Sequence, residues 1–168
     1  MGLPSDLFEG GRAKFEYVPY PEENTNFDFY IEQPESDIKL FFEVKYTEYG
    51  FGSCKKDDEH KLKFDSVYTK MIADCACLKK EPHFDADWCK YYQLFRNILR
   101  ITRTNWEKEY VVFLFPEENS IAKRQFESFK NEYINEEFNE HVMGIYWEQL
   151  TESMKAEFRE KFFFYIKE

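Results

Sequence analysis

Two apolar runs separated by a short polar turn, "NFDFYIE" (26–32) and "IKLFFEVKYTE" (38–48) around "QPESD", constrain this chain more than any other stretch. Each alternates aromatic or β-branched residues with polar ones, which is the period of a strand. Leu40, Phe42, Val44 and Tyr46 then share one face and Phe41, Glu43, Lys45 and Thr47 the other, while Phe27, Phe29 and Ile31 oppose Asp28 and Tyr30. A hairpin turning about Glu35 and Ser36 sets Asp28 directly opposite Glu43, beside Lys45. Like charges facing each other across a ladder are destabilising, so something positive has to compensate. A hard divalent cation does so, because Mg²⁺ prefers oxygen ligands and commonly takes one or two carboxylates while keeping several waters. Lys45 would then hold the attacking water or stabilise charge developing on a phosphoryl group. Spacing alone is better matched by a solvated sheet face on which Lys45 neutralises its two neighbours, because charge alternation is common on antiparallel sheets.

The rest of the chain supplies a setting for this hairpin. "KFEYVPY" (14–20) precedes it as a further strand, with turn-like "PEEN" between, which gives a three-stranded antiparallel meander. After the loop "GFGSCKKDD", Leu62, Val67, Met71 and Cys75 recur at near-helical spacing and predict a helix over about 59–76. "DADWCKYYQLFRNILRITR" predicts a second helix opening near Asp85 or Asp87, whose carboxylates suit an N-terminus. "EYVVFLFP" is nearly all apolar and stops at Pro116, as expected of a central strand buried on both faces. An amphipathic helix from Ser120 to about Phe138, a strand at "VMGIYW" and a last helix opened by Thr151 complete the pattern. The expected fold is α/β: a mixed central sheet of the meander plus one or two further strands, flanked by α-helices. With 168 residues and no repeat or linker, a single domain over residues 1–168 is expected.

The same residues resemble a known family. "NFDFYIE" followed by "FFEVKYTE" is similar to the signature of the PD-(D/E)xK nuclease superfamily, an Asp on one core strand and Glu-x-Lys on the next. The resemblance implies a restriction-endonuclease-like core and Mg²⁺-dependent hydrolysis of DNA phosphodiesters, with Mn²⁺ as a substitute ion. It assigns Asp28 and Glu43 as metal-binding acids, the carbonyl of Val44 as a further ligand and Lys45 as the catalytic lysine. Many RecB-like members carry a glutamine on the helix after the motif, and Gln93 in "YYQLFRN" matches it. The match spans roughly 14–115, and "EVKYTE" with "YYQLFRN" looks especially like a group of bacterial restriction-endonuclease-like proteins. It departs in one place: members generally open with a helix that often adds an acid, and strand-like "KFEYVPY" leaves no room for one. Either a later helix takes that place, or the chain is a trimmed or degenerate member whose site lacks one ligand, for which Glu16 on the first strand could substitute. The alternative function is a catalytically silent nuclease-fold module that binds protein or nucleic acid.

Thirty-three Asp and Glu against twenty-three Lys and Arg give a formal charge of −10, so DNA binding has to rest on a local basic patch. Gln93, Arg96, Arg100 and Arg103 fall within one quadrant of their helix, and the three arginines could each reach a backbone phosphate, with Lys55 and Lys56 adding to that surface. The bland account is a solvated face paired with the abundant acids. No aromatic platform for single strands is expected, because Phe and Tyr mostly follow core periodicity. Cys54, Cys75, Cys77 and Cys89 lack knuckle spacing, and a helix would send Cys75 and Cys77 to different sides. Reduced thiols are therefore expected rather than a zinc or iron–sulfur site. No secretory pattern and no run of membrane-spanning length is present, which predicts a cytoplasmic address.

Overall fold

The computed structural model describes residues 11–19, 26–101 and 106–150. Arg103 and the helix expected from Thr151 onward lie outside the described residues. Three strands, β1 (Arg12–Tyr17), β2 (Phe27–Gln33) and β3 (Ile38–Val44), form the expected meander. Two more, β4 (Glu109–Phe115) and β5 (Val142–Tyr146), extend it in the order β1-β2-β3-β4-β5. The β1–β2 and β2–β3 pairings are antiparallel, and β3–β4 and β4–β5 are parallel. The hairpin closes with Asp37 at φ 57°, a left-handed conformation that Asp tolerates better than most residues. Its register runs from Gln33↔Ile38 to Phe29↔Phe42, as the alternation predicts.

Parallel neighbours need crossovers, and helices supply them. Between β3 and β4 come α1 (Asp58–Lys63), a π-type turn (Phe64–Tyr68) that runs on into α2 (Thr69–Ala73), and α3 (Tyr92–Ile101). Between β4 and β5 comes α4 (Ser120–Tyr133). Asp57 caps α1 by accepting from His60 N, and Asn119 caps α4 by accepting from Ala122 N. Both crossovers step the same way along the sheet. A shared hand therefore puts their helices on one face, where Phe95, Phe129 and Trp88 join Phe41, Phe113 and Phe115 in one core cluster. The other face carries Phe29, Ile31, Leu40, Phe42, Val112, Leu114 and Ile145, with Leu150 against them. β4, with neighbours on both sides, is the interior strand its apolar run predicts. None of the described helices is long and apolar enough to cross a membrane.

Three local readings need correcting. The helix over 58–73 buries Phe64, Tyr68, Met71 and Ile72, whereas Leu62 and Val67, counted on its buried face, are 70% and 37% exposed. The wide turn is the reason: Thr69 N donates to Phe64 O, five residues back, and the extra residue shifts the phase of the helix. α2 ends at Ala73, so Cys75 and Cys77 lie in the turn after it rather than on opposite sides of a helix, and their Sγ atoms are 3.1 Å apart. All four cysteines are free, and among the described residues no three acids, histidines or cysteines cluster as metal ligands. Finally, Phe27 belongs to the helix-side cluster, not with Phe29 and Ile31. β1 is kinked at Glu16, with φ 47°, and beyond the kink Tyr17 also turns to the helix side and stacks on Tyr30 at 4.1 Å between centroids.

The contact of α4 with β5 closes on a glycine. A Cβ at Gly144 would lie 2.5 Å from Cε1 of Phe126, a ring that is itself buried. Gly144→Ala is expected to lower stability by about 2 kcal/mol in urea denaturation, because the added methyl would force a buried ring to move. An unchanged midpoint would mean that α4 does not press on β5.

Candidate active site

β3 delivers Glu43 to the helix-side face at a point where α3 passes over the sheet. Glu43 is 4% exposed and Lys45 7%, so their charges have to be compensated by protein groups rather than by water. Lys45 Nζ lies 2.8 Å from Glu43 Oε1 and 3.6 Å from Glu48 Oε1. Gln93 Nε2 donates to the same Glu43 Oε1, and Asn97 Nδ2 donates to Oε2 at 2.8 Å. The remaining amide atom of Gln93 is also used, since its Oε1 accepts from Gly52 N at 2.8 Å. The glutamine therefore joins the buried acid to the loop that follows the strand.

Asp28 reaches the site differently. The β2–β3 ladder ends at Phe29↔Phe42, one step short of pairing Asp28 with Glu43. There the Asp28 side chain takes over, with Val44 N donating to its Oδ2 at 2.7 Å. Burial, then the neighbouring Glu43 charge, pushes the Asp28 carboxyl up to about 7; the Val44 hydrogen bond and Lys45 oppose this, and Glu16 adds to it. Glu16, which accepts from Asn26 Nδ2 at 3.3 Å, is thus within electrostatic reach of Asp28. For Lys45, burial alone would depress the ammonium, but the charge and hydrogen bond of Glu43, with Glu48 and Asp28, outweigh it and raise its pKa.

Glu43, Lys45 and Gln93 are thus in direct contact, Asp28 is coupled to them by charge, and Val44 is held through its N–H. Two further side chains belong to the cluster and were not singled out from the sequence. Asn97 lies one turn beyond Gln93 on the same face of α3, and Glu48 follows Lys45 by three residues in "EVKYTE"; both spacings carried the signal.

The basic stripe does not form a solvent-facing surface. Arg100 is 2% exposed, a correction to its expected place at a phosphate, and Arg96 is half-buried with its guanidinium 5.0 Å from the Tyr92 ring centroid. α3 is enclosed along most of its length, with Tyr91, Leu94, Phe95, Ile98 and Leu99 all buried, so its polar quadrant meets Glu43 and Tyr68 instead of water. Lys55 and Lys56 are exposed.

A family model described as restriction endonuclease associating with ARP matches residues 2–163. This chain belongs to that family. No curated protein and no solved structure matches it. For a member of a restriction-endonuclease family, the five-stranded mixed sheet with its helices is a restriction-endonuclease-like core, and the Glu43 cluster lies on its helix side.

The raised Asp28 carboxyl has a consequence for stability. A carboxyl held above its ordinary 3.8 takes up a proton on folding; its favourable contribution is complete below that value and is lost as pH rises through about 7. In EDTA, Asp28→Asn is expected to resist urea better than the parent at pH 8 by roughly 2 kcal/mol, with the difference narrowing as pH falls toward 4. A gap that does not change with pH would show that burial is not what holds this carboxyl.

Proposed function

We propose that this family member is a PD-(D/E)xK enzyme that hydrolyses DNA phosphodiesters at the Asp28–Glu43–Lys45 cluster with the help of Mg²⁺ or Mn²⁺. The observation that carries the reading is the lysine ammonium held 2.8 Å from an almost fully buried carboxylate, with a second carboxyl of raised pKa coupled to it. The donor set fits a hard divalent ion. A carboxylate offers about four lone-pair positions; Lys45, Gln93 and Asn97 occupy three on Glu43, which leaves one. Asp28 Oδ2 accepts from Val44, while no described residue is bonded to Oδ1. Burial and, after it, the charge of Glu43 raise the Asp28 pKa, and a divalent cation would relieve the second of these. Bound by Asp28 and Glu43, with the Val44 carbonyl as a further ligand, the ion would supply Lewis-acid charge stabilisation and make water easier to deprotonate.

In the hydrolysis, a water oxygen adds to phosphorus, one P–O ester bond breaks and the departing oxygen takes up a proton. Lys45, whose pKa is raised, stays protonated at neutral pH and therefore acts as a charge and hydrogen-bond donor toward the phosphoryl oxygens, not as a base. Gln93 and Asn97 hold the Glu43 carboxylate in one orientation, so that it does not swing toward the lysine alone. Phosphate contacts fall to the exposed Lys55 and Lys56, with Arg96 at the edge. A cytoplasmic address agrees with this use and with four free cysteines.

A catalytically silent nuclease-fold module is the second reading. It is favoured by the engagement of both Glu43 oxygens within the protein and by the lack of a three-ligand cluster among the described residues. The association with ARP in the family description would then be the main task of the chain.

Plasmid DNA is expected to be nicked or cut with Mg²⁺ or Mn²⁺ and left intact in EDTA. Lys45→Ala is expected to lower cutting by at least about 100-fold while Mn²⁺ binding, followed by calorimetry, survives; Glu43→Gln is expected to lose both. Cleavage that persists in Lys45→Ala, or an absence of Mn²⁺ binding to the parent, favours the silent module. Replacing Lys55 and Lys56 with Ala is expected to flatten the slope of log affinity against log salt by about 2 for duplex DNA in EDTA, at roughly 0.9 per contact. An unchanged slope would remove both lysines from the interface.

A further inference from the structure

A solvent-open cleft of about 420 Å³ lies between the loop after β3 and the segment that leads from β4 into α4, and it meets the Glu43–Lys45 pair through Glu48. Tyr46, Glu48 and Tyr49 line it from the first side, and Glu118, Ser120 and Ile121 from the second. Glu48 is the shared wall: its Oε1 meets Lys45, while its Oε2 accepts from Tyr46 N and Thr47 N and so fixes the loop. The loop is pinned again where Asn119 Nδ2 donates to Glu48 O at 2.8 Å. This held loop presents two large aromatic side chains to solvent. Tyr49 is 86% exposed and Tyr46 64%, the latter touching Trp147 edge-on at 5.8 Å. These two tyrosines stand apart from the aromatic residues that follow core periodicity.

The chemistry of the walls discriminates between parts of a nucleotide. Among the described residues no lysine or arginine lines the cleft, and two glutamates do, so these walls disfavour a phosphate. Aromatic faces stack on any base, and a carboxylate accepts hydrogen bonds from exocyclic amino groups. Glu48 is committed to Lys45 and the loop amides, whereas the Glu118 carboxylate has no bonded partner among the described residues. The cleft is open to solvent, so it offers one base a face to stack on rather than an enclosure. We infer that this cleft receives an unpaired nucleobase adjacent to the scissile phosphate, stacked on Tyr46 or Tyr49 with Glu118 facing its edge. The inference rests on the nuclease reading of the adjoining cluster and gives it a substrate class. In a continuous duplex the bases are stacked inside and do not reach a pocket beside the phosphate. The preferred substrate is therefore single-stranded, flapped or locally unpaired nucleic acid.

The test uses the full chain in EDTA with single-stranded oligonucleotides, DNA and RNA, each carrying one 2-aminopurine. Binding is read by anisotropy and stacking by loss of aminopurine emission. The parent is expected to quench the probe in at least one of the two series and to bind it more tightly than the same base held in a duplex. Tyr46→Ala with Tyr49→Ala is expected to weaken binding about tenfold and to restore emission. Tyr46→Phe with Tyr49→Phe, which keeps both rings, is expected to behave like the parent. Unquenched probe, or equal affinity in the alanine variant, overturns the inference. Cutting of the same strands with Mn²⁺ separates this outcome from the reading it rests on. Cutting that the tyrosine variants leave unchanged removes the base pocket and keeps the nuclease. Tyrosine-dependent binding without any cutting keeps the pocket and removes the nuclease.

Discussion

The carboxylate of Glu43, almost fully removed from water, is the constraint around which the rest of this molecule is arranged. An ionised carboxylate in such a position is costly unless charge and hydrogen bonds replace its hydration. The replacement comes from two separate stretches of chain: Lys45, two residues along the same strand end, and Gln93 and Asn97 from α3. α3 can supply two amides only if it crosses the sheet at that point, so the acid fixes where the helix docks. The apolar residues flanking Gln93 and Asn97 on α3 then lock the crossing by burial.

The same glutamine passes the constraint outward. Its amide oxygen accepts from Gly52, which ties the loop after β3 to α3 at a second point, while Glu48 organises the start of that loop and shares Lys45 with Glu43. A Cβ at Gly52 would lie 3.4 Å from the Gln93 oxygen, so the loop and the glutamine side chain are in van der Waals reach here. A chain of charge and hydrogen bonds thus runs from the buried acid through the lysine and the glutamine to the exposed tyrosines.

Charge elsewhere follows from this enclosure. The net charge of −10 opposes a polyanion at long range, and the arginines of α3 do little to offset it, because Arg100 is inside and Arg96 packs on Tyr92. The exposed lysines on the loop after β3 lie on the stretch of chain that Gln93 and Glu48 hold in place. Local positive charge therefore sits where the loop presents it, not along a helix face.

How much of this was legible in the sequence depended on range. The period of two and the length of the turn set the β2–β3 register, and the all-apolar run ending at Pro116 marked β4 as interior. Those signals are local, since a strand writes its buried face into its own alternation. The pairing of Glu43 with Lys45 was legible for the same reason, both being on one face of one strand. Which surface of α3 meets the acid was legible only through the resemblance that pointed to Gln93, because four polar residues in one quadrant look alike whether they face water or a buried charge. Only docking against the sheet turned Gln93 and Asn97 into its partners and put Arg100 inside. The phase of the helix before it was lost to a π-type turn that no periodicity announces, and beyond the kink at Glu16 Tyr17 lies on the helix side, as Phe27 does. Sequence alone thus determined the strands, their register and the chemical types brought to one sheet edge. Tertiary structure decided which of those groups are desolvated, because burial depends on what packs over a residue and not on the residue's neighbours in the chain.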